Sequence, residues 1–92
     1  MRQDEAETIA IRALGWIAAE EGLFEVFLDA TGCDAGEVRA RAADPDFQGA
    51  VLDFLLLSDQ HVTGFCDAAG LAYDVPLRAR AALPGGGAPD WT

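Results

Sequence analysis

Four of the six arginines of the chain occur in a motif that is present twice. Arg39 and Arg41 lie in Val-Arg-Ala-Arg-Ala-Ala, and Arg78 and Arg80 lie in Leu-Arg-Ala-Arg-Ala-Ala. If one arginine of each copy met its counterpart in the fold, the two could bind an anion or an acidic peptide. The alternative, which we favour, is structural. Arginines late in a helix complement the negative end of its dipole and pair with nearby acids. Within each motif the two arginines diverge by about 200° around a helix, so neither pair alone forms one flat patch.

Two aspartates occupy equivalent positions in the two copies. Asp29 in Phe-Leu-Asp-Ala-Thr-Gly corresponds to Asp67 in Phe-Cys-Asp-Ala-Ala-Gly, and both fall late in predicted helices, where the dipole disfavours an acid. We expect each to form a structural salt bridge with an arginine of the following helix, rather than a catalytic carboxylate pair. Asp53 lies alone in a strongly apolar segment, and we expect it at the solvent edge of a nearly buried helix.

Few residues of this chain could bind a metal or act as a nucleophile. His61 is the only histidine, and Cys33 and Cys66 are the only cysteines. These three residues show neither the CxxC nor the HxxxH spacing of a metal site. Cys66 falls on the apolar face of its helix, whereas His61, five residues earlier, points elsewhere. We therefore expect two buried, reduced cysteines and an exposed histidine, with no metal, no cofactor and no enzymatic activity.

The two tryptophans have different sequence environments. Trp16 lies within a helical apolar stripe and is predicted to be part of the core. Trp91 lies in residues 85–92, Gly-Gly-Gly-Ala-Pro-Asp-Trp-Thr, whose composition predicts a flexible tail. Trp91 could anchor a contact with a partner's groove, although we favour the alternative that a tryptophan in such a tail is incidental. The three glycines do not form a phosphate loop, because no helix follows them.

Charge and composition limit the classes of partner. Sixteen acids against six arginines give a net charge of −10, in a chain of which 51% is hydrophobic. An acidic surface repels nucleic-acid phosphates and anionic lipids, so we expect neither a nucleic-acid nor a membrane partner. The first residues are acidic rather than apolar, and no apolar run is long enough to cross a bilayer. We therefore expect a cytoplasmic protein.

Capping and breaking residues divide the chain into six helical segments. Acidic or hydroxyl caps precede apolar runs, glycines such as Gly32 and Gly70 follow them, and prolines separate neighbouring helices. The repeat places Glu20-Glu21 on Ser58-Asp59, which predicts that the second helix opens at Glu20. The predicted helices cover residues 5–19, 20–31, 34–43, 46–57, 59–69 and 74–83. The fourth helix is apolar nearly all round, which predicts a central position.

These elements predict an all-α fold, a compact six-helix globule made of two pseudo-repeated three-helix units. We expect a single helical domain over residues 1–84 and a Gly/Pro tail over residues 85–92. In this prediction the first and fourth helices supply the middle, and the remaining short helices wrap around them.

Several motifs together resemble a known family. They include Ala-Leu-Gly-Trp-Ile-Ala at residues 13–18, Asp-Pro-Asp-Phe at 44–47 and Val-Leu-Asp-Phe-Leu-Leu at 51–56. The chain resembles, over residues 6–84, a family of small, largely alphaproteobacterial proteins catalogued as domain of unknown function 3572. The resemblance implies a short, all-helical cytoplasmic protein, and it transfers no activity, cofactor or site residue.

The function expected from these observations is a non-enzymatic role in protein contacts, as an accessory or regulatory protein that is a monomer or a weak homodimer. Exposure of Ile11, Leu56 or Leu57 would support this role, because a small core cannot hide every apolar residue. A helix-turn-helix-like nucleic-acid binder, disfavoured by the charge, and a small-ligand module between the two halves are the alternatives.

Overall fold

Six helices joined by short turns account for the part of the chain that the structure describes. The computed structural model describes residues 1–84, in which no β-strand occurs. The tail predicted for residues 85–92, with Trp91, lies outside the described residues. The helices are α1 (Gln3–Ala19), α2 (Leu23–Thr31), α3 (Ala35–Arg41), α4 (Pro45–Leu56), α5 (Asp59–Ala69) and α6 (Val75–Ala82). The all-α prediction and the number of helices are confirmed.

Most helix ends lie where the capping residues predicted them. Gly32 and Gly70 end α2 and α5 with φ of 73° and 71°, in the left-handed region that glycine adopts without steric cost. At the start of α3, Asp34 Oδ1 accepts a hydrogen bond from the Glu37 amide at 2.8 Å, and the Asp34 amide donates to Glu37 Oε1 at 3.0 Å. This reciprocal pair is the capping box that the sequence predicts.

The predicted boundary between the first two helices is wrong. Glu20 ends α1 instead of opening α2, and α2 begins at Leu23. Gly22 lies between the two helices with φ of 80°, a left-handed conformation that interrupts helical geometry. The amide of Leu23 donates to the Glu20 carbonyl at 3.1 Å, which closes the turn. The first helix also begins earlier than predicted, at Gln3.

The core is built around α4, as its all-round apolar sequence predicts. Phe47, Val51, Leu52 and Leu55 of this helix are buried. Phe27 of α2 is fully buried against α4. Its ring meets two rings of α4 in the edge-to-face arrangement that aromatic pairs prefer. Its ring centroid lies 6.0 Å from that of Phe47 and 5.3 Å from that of Phe54.

The third helices of the two predicted units pack unequally. Helix α6 lies against both α1 and α4 and buries Ala79 between them, so it belongs to the centre of the fold instead of wrapping it. Helix α3 makes much less contact with α1 and α4 and contributes only Val38 to the core. The internal repeat stays a prediction, and the third helices of its two units, α3 and α6, pack differently. The unequal packing leaves an open space between α1 and α3.

One buried polar side chain fixes the end of α3 to the central helix. Gln48 of α4 is 2% exposed, and its Nε2 donates to the Ala42 carbonyl at 2.9 Å. This carbonyl follows the last turn of α3, where the helix itself supplies no donor. The hydrogen bond therefore holds α3 in place at its C-terminal end while its flank remains open.

Candidate interaction site

The open space between α1 and α3 is a shallow apolar groove, which we call the α1–α3 groove. Its volume is about 440 Å³. Its lining includes Ile11, Leu14, Gly15 and Ala18 from α1, Phe24 from α2, and Val38 and Arg39 from α3. The four residues of α1 recur at spacings of three and four, so they form a second apolar stripe beside the stripe that α1 buries in the core. An extra apolar stripe on a small domain is available for a partner.

Two residues singled out in the sequence lie together in this groove. The Ile11 side chain is 50% exposed. Arg39, an exposed residue in the last turn of α3, is the only charged residue in the lining and forms no ion pair with any residue in 1–84. Gly15 faces open space, since a methyl group at this position would meet no other residue within 4 Å. The groove therefore combines an apolar floor with one cationic edge.

A second groove runs along one face of α4, and we call it the α4 groove. Its volume is about 370 Å³. Phe47, Ala50, Phe54 and Leu57 line it at helical spacing, with Cys33 and Arg41 beside Phe47 and Asp53 towards the other end. Leu57 is 82% exposed, and Leu56 is half-buried. Of the three apolar residues whose exposure would support a role in protein contacts, Leu57 is therefore exposed in this groove and Ile11 in the first groove.

Arg41 borders the α4 groove without a carboxylate partner in the described chain. Its guanidinium carbon lies 5.0 Å from the centre of the Phe47 ring, and its Nη1 lies 3.7 Å from Cys33 Sγ. A guanidinium over an aromatic face is held by cation–π attraction, which leaves its outer N–H groups available as donors. The positive charge is thus fixed in place at one end of an apolar groove.

The arginines of the second motif pair with acids, as the structural interpretation expects. Arg80 is largely buried and holds Asp53 with two hydrogen bonds, from Nε to Oδ1 at 2.6 Å and from Nη2 to Oδ2 at 3.2 Å. Its Nη1 donates to the Pro84 carbonyl at 3.1 Å. Arg78 lies 3.8 Å from Asp74 in an exposed pair. The matched motifs therefore have different environments, and binding roles for these four arginines stay predictions.

The salt bridges predicted for the two equivalent aspartates are absent from residues 1–84. Asp29 forms no ion pair there, and Asp67 accepts a hydrogen bond from the hydroxyl of Tyr73 at 2.7 Å. The prediction is wrong because the arginines of α6 turn towards Asp53 and Asp74, and Arg41 of α3 lies over the ring of Phe47. The hydrogen bond to Asp67, followed by its negative charge, raises the pKa of Tyr73. Sequence reasoning missed Tyr73, and the only signal was the turn at Gly70, which brings the next residues back alongside α5.

His61 and Trp16 form an aromatic cluster at the edge of the core. The histidine was predicted to be exposed, and this is wrong, because its ring stacks on Phe54 with centroids 5.8 Å apart and lies 6.3 Å from Trp16. Trp16 was predicted to be core, yet it is half-buried, with its ring against Phe65 and over Gly64. Asp53, by contrast, is exposed as predicted.

Both cysteines are free and buried, as predicted. Burial, helped by the charges of Asp67 and Asp74, raises the pKa of the Cys66 thiol, which disfavours the thiolate that a nucleophile needs. Within residues 1–84, no group of three or more histidine, cysteine or acidic side chains could hold a metal ion. In the same residues, no helix has both the length and the apolar character needed to cross a membrane.

The comparison with protein families is decisive about relationship. A family described as protein of unknown function, DUF3572, matches residues 3–86, which is nearly all of the chain. The chain belongs to DUF3572. No curated protein and no solved structure matches it.

Membership of DUF3572 agrees with the resemblance seen in the motifs and assigns no activity to any residue. The matched range includes all six helices and both grooves. It ends before Trp91, so this tryptophan is a feature of the chain beyond the part that matches DUF3572. The function therefore has to be argued from the surface of the helical domain.

Proposed function

We propose that this DUF3572 member is a non-enzymatic cytoplasmic protein that binds one helix of another protein in the α1–α3 groove. The observation that carries this proposal is the second apolar stripe of α1, where Ile11 is half exposed above Leu14, Gly15 and Ala18. A groove between two helices suits an amphipathic helix, whose apolar side chains at spacings of three and four enter it.

The charges around the groove define the partner further. Arg39 is the only charged side chain of the lining, so the bound helix carries an acid where it passes the end of α3. The whole chain has a net charge of −10, which attracts a partner of net positive charge and accelerates encounter. The same charge repels a second copy of the chain. The occupant is therefore an amphipathic helix, with an acid on its apolar side, that belongs to a basic protein.

Three variants test the proposal on the intact chain. Ile11→Asp places a charge in the groove, and Arg39→Ala removes its cation. Leu77→Asp is the matched control, because Leu77 is also an exposed apolar residue, at 62%, but lies in neither groove. Tagged wild type and variants are cross-linked in host lysate, and each captured protein is then purified and titrated against all four chains by calorimetry.

The expected result is a captured protein whose affinity falls by about tenfold or more with Ile11→Asp, since about 1.4 kcal/mol of apolar contact corresponds to that factor. Arg39→Ala reduces the affinity and also its dependence on salt, whereas Leu77→Asp leaves both unchanged. A partner that binds Ile11→Asp as tightly as wild type overturns the proposed site. Circular dichroism first establishes whether Ile11→Asp retains its helicity. If this variant loses helicity, the affinity and salt dependence of Arg39→Ala alone decide the test.

A further inference from the structure

Two interior helix glycines of this domain each receive a large side chain from another helix. At Gly49 of α4, the guanidinium of Arg80 from α6 lies so close that an added Cβ would be 2.9 Å from its Nη1. At Gly64 of α5, an added Cβ would be 2.8 Å from Cζ2 of Trp16 from α1. A glycine leaves a notch in the surface of a helix, because it has no side chain of its own. In both places one large side chain fills the notch.

Gly15 forms a third notch, which is open in residues 1–84. It lies in the interior of α1, and an added Cβ would meet none of the described residues within 4 Å. Its backbone is not in the left-handed region, so no turn requires a glycine there. An interior glycine nevertheless weakens a helix relative to alanine. Contacts within residues 1–84 therefore give no reason for a glycine at this position.

The Gly15 notch lies in the α1–α3 groove, among apolar side chains. Ile11 precedes Gly15 by four positions and Ala18 follows it by three, so both share its face of α1. Phe24 and Val38 line the same groove from α2 and α3. An apolar side chain suits this notch, because a polar group buried among these residues would lack a hydrogen-bond partner.

We propose that the partner helix inserts one large apolar side chain, of the size of leucine or phenylalanine, into the Gly15 notch; this inference rests on the proposed function. Ile11 is half exposed one turn away, so it holds a bound helix off the backbone of α1 and only a long side chain spans the gap. The partner helix then carries two recognition features, a large apolar residue for Gly15 and an acid for Arg39.

Two synthetic peptides serve as probes of the intact chain. Each has about 18 residues, enough to form a helix, with leucines at spacings of three and four, one glutamate on the apolar side and lysines on the opposite face. They differ only at one central apolar position, which is phenylalanine in one peptide and alanine in the other. The attraction of their lysines to the acidic chain is therefore the same.

Dissociation constants of both peptides are measured by calorimetry for wild type and four variants. Gly15→Leu fills the notch, Gly15→Ala fills it in part, and Ile11→Asp disrupts the groove. Ala19→Leu is the matched control, because Ala19 is also exposed on α1 but lines neither groove.

Wild type is expected to bind the phenylalanine peptide about tenfold more tightly than the alanine peptide. Burial of a large apolar side chain is worth at least the roughly 1.4 kcal/mol that this factor represents. Gly15→Leu should abolish the preference, Gly15→Ala should reduce it, and Ala19→Leu should leave it unchanged. Gly15→Ala should also raise the melting temperature by about 2–8 °C, which separates loss of recognition from loss of fold.

The contrary outcomes separate this inference from the proposed function. If wild type binds both peptides equally and Ile11→Asp weakens both, the inference is overturned and the groove remains the binding site. Tighter binding of the alanine peptide also overturns the inference, because the notch would then serve a close approach of two backbones. A preference that persists in Gly15→Leu contradicts it as well. Absence of binding of both peptides to wild type, or binding that Ile11→Asp leaves unchanged, overturns the groove itself.

Discussion

The contact between Trp16 and Gly64 predicts that Gly64→Ala lowers the stability of the chain when the Trp16 ring is present and raises it when the ring is removed. Gly64 lies in the interior of α5, and the ring of Trp16 packs directly over it. A methyl group at position 64 would lie 2.8 Å from Cζ2 of Trp16 and 3.3 Å from Cη2. The ring cannot move aside freely, because His61 and Phe65 flank it with centroids 6.3 and 6.2 Å away.

Two opposing effects determine the result of Gly64→Ala. Alanine in place of an interior helical glycine stabilises a helix by about 0.5–1 kcal/mol. Insertion of a methyl group into a packed contact costs about 1–3 kcal/mol. The clash at position 64 exceeds the helical gain, so we expect a net loss of about 1 kcal/mol and a melting temperature lower by about 4–8 °C for a domain of this size.

The assay is a double-mutant cycle followed by far-UV circular dichroism during thermal unfolding. Trp16→Leu removes the ring atoms that the new methyl group would meet. In this background Gly64→Ala is expected to raise the free energy of unfolding by about 0.5–1 kcal/mol, because only the helical gain remains. Gly15→Ala is the matched control, since Gly15 is also helical but faces open space, and it should stabilise both backgrounds equally.

The reasoning is refuted if Gly64→Ala stabilises the wild-type chain as much as it stabilises Trp16→Leu. That result would mean that the Trp16 ring moves away at no cost and does not fix the position of α5 on α1. A destabilisation that is equal in both backgrounds would also refute it, because the cost would then arise elsewhere than from the Trp16 contact.

Three further predictions concern ionisation, thiol reactivity and ion pairing. The hydrogen bond to Asp67 raises the pKa of Tyr73, so ultraviolet titration of this single tyrosine should give a pKa above the ordinary value near 10, and Asp67→Ala should lower it. The stability from this contact is present below pH about 10 and is lost as pH rises through the folded-state pKa. In the folded chain Cys33, 9% exposed, should react with thiol reagents faster than Cys66, 0% exposed, and unfolding should abolish the difference. Arg80→Lys should lower the free energy of unfolding by about 1 kcal/mol, because lysine cannot form the two-pronged contact of arginine. The loss stays this small because the Asp53 carboxylate is largely exposed.

Each of these three has a distinct contrary outcome. A tyrosine titration unaffected by Asp67→Ala would show that the hydrogen bond is not formed in solution. Equal reactivity of the two thiols would contradict the burial of Cys66 on the core-facing side of α5. An Arg80→Lys chain as stable as wild type would show that the ion pair with Asp53 contributes nothing, and Arg78→Lys, in the exposed pair with Asp74, is the control expected to be nearly neutral.

Local structure could be predicted from the sequence where one residue determines the backbone. Gly32 and Gly70 end their helices because a left-handed residue follows the last turn, and Asp34 starts α3 because its carboxylate accepts an amide that the helix leaves free. The repeat alignment predicts a helix start at Glu20, and this prediction is wrong because Gly22 interrupts the chain before α2 begins. That glycine, at φ of 80°, was the residue that determined the boundary.

The candidate site could be predicted in its residues but not in its shape. The sequence marks Ile11 as an apolar residue whose exposure would support a role in protein contacts, and it marks Arg39 by its repeated motif. No sequence pattern, however, places these two residues in one groove. The groove exists because α3 packs weakly and α6 strongly, and that difference is a tertiary property. Spacing along a helix defines which residues share a face, whereas the neighbour of that face is determined by how much apolar surface each helix can bury.

The doubled arginine motif shows how similar sequence segments come to have different surroundings in the fold. Arg80 belongs to a helix that packs against α4, so its guanidinium reaches Asp53 and is used for structure. Arg41 occupies the matched position in a helix that stays at the periphery, so its guanidinium rests on Phe47 and keeps its outer donors available. A repeat determines local conformation and the type of side chain. The packing of each short helix determines whether its arginine forms an ion pair within the domain. Of the four arginines, the two on α3 are therefore those without an ion pair in residues 1–84, and each borders one groove.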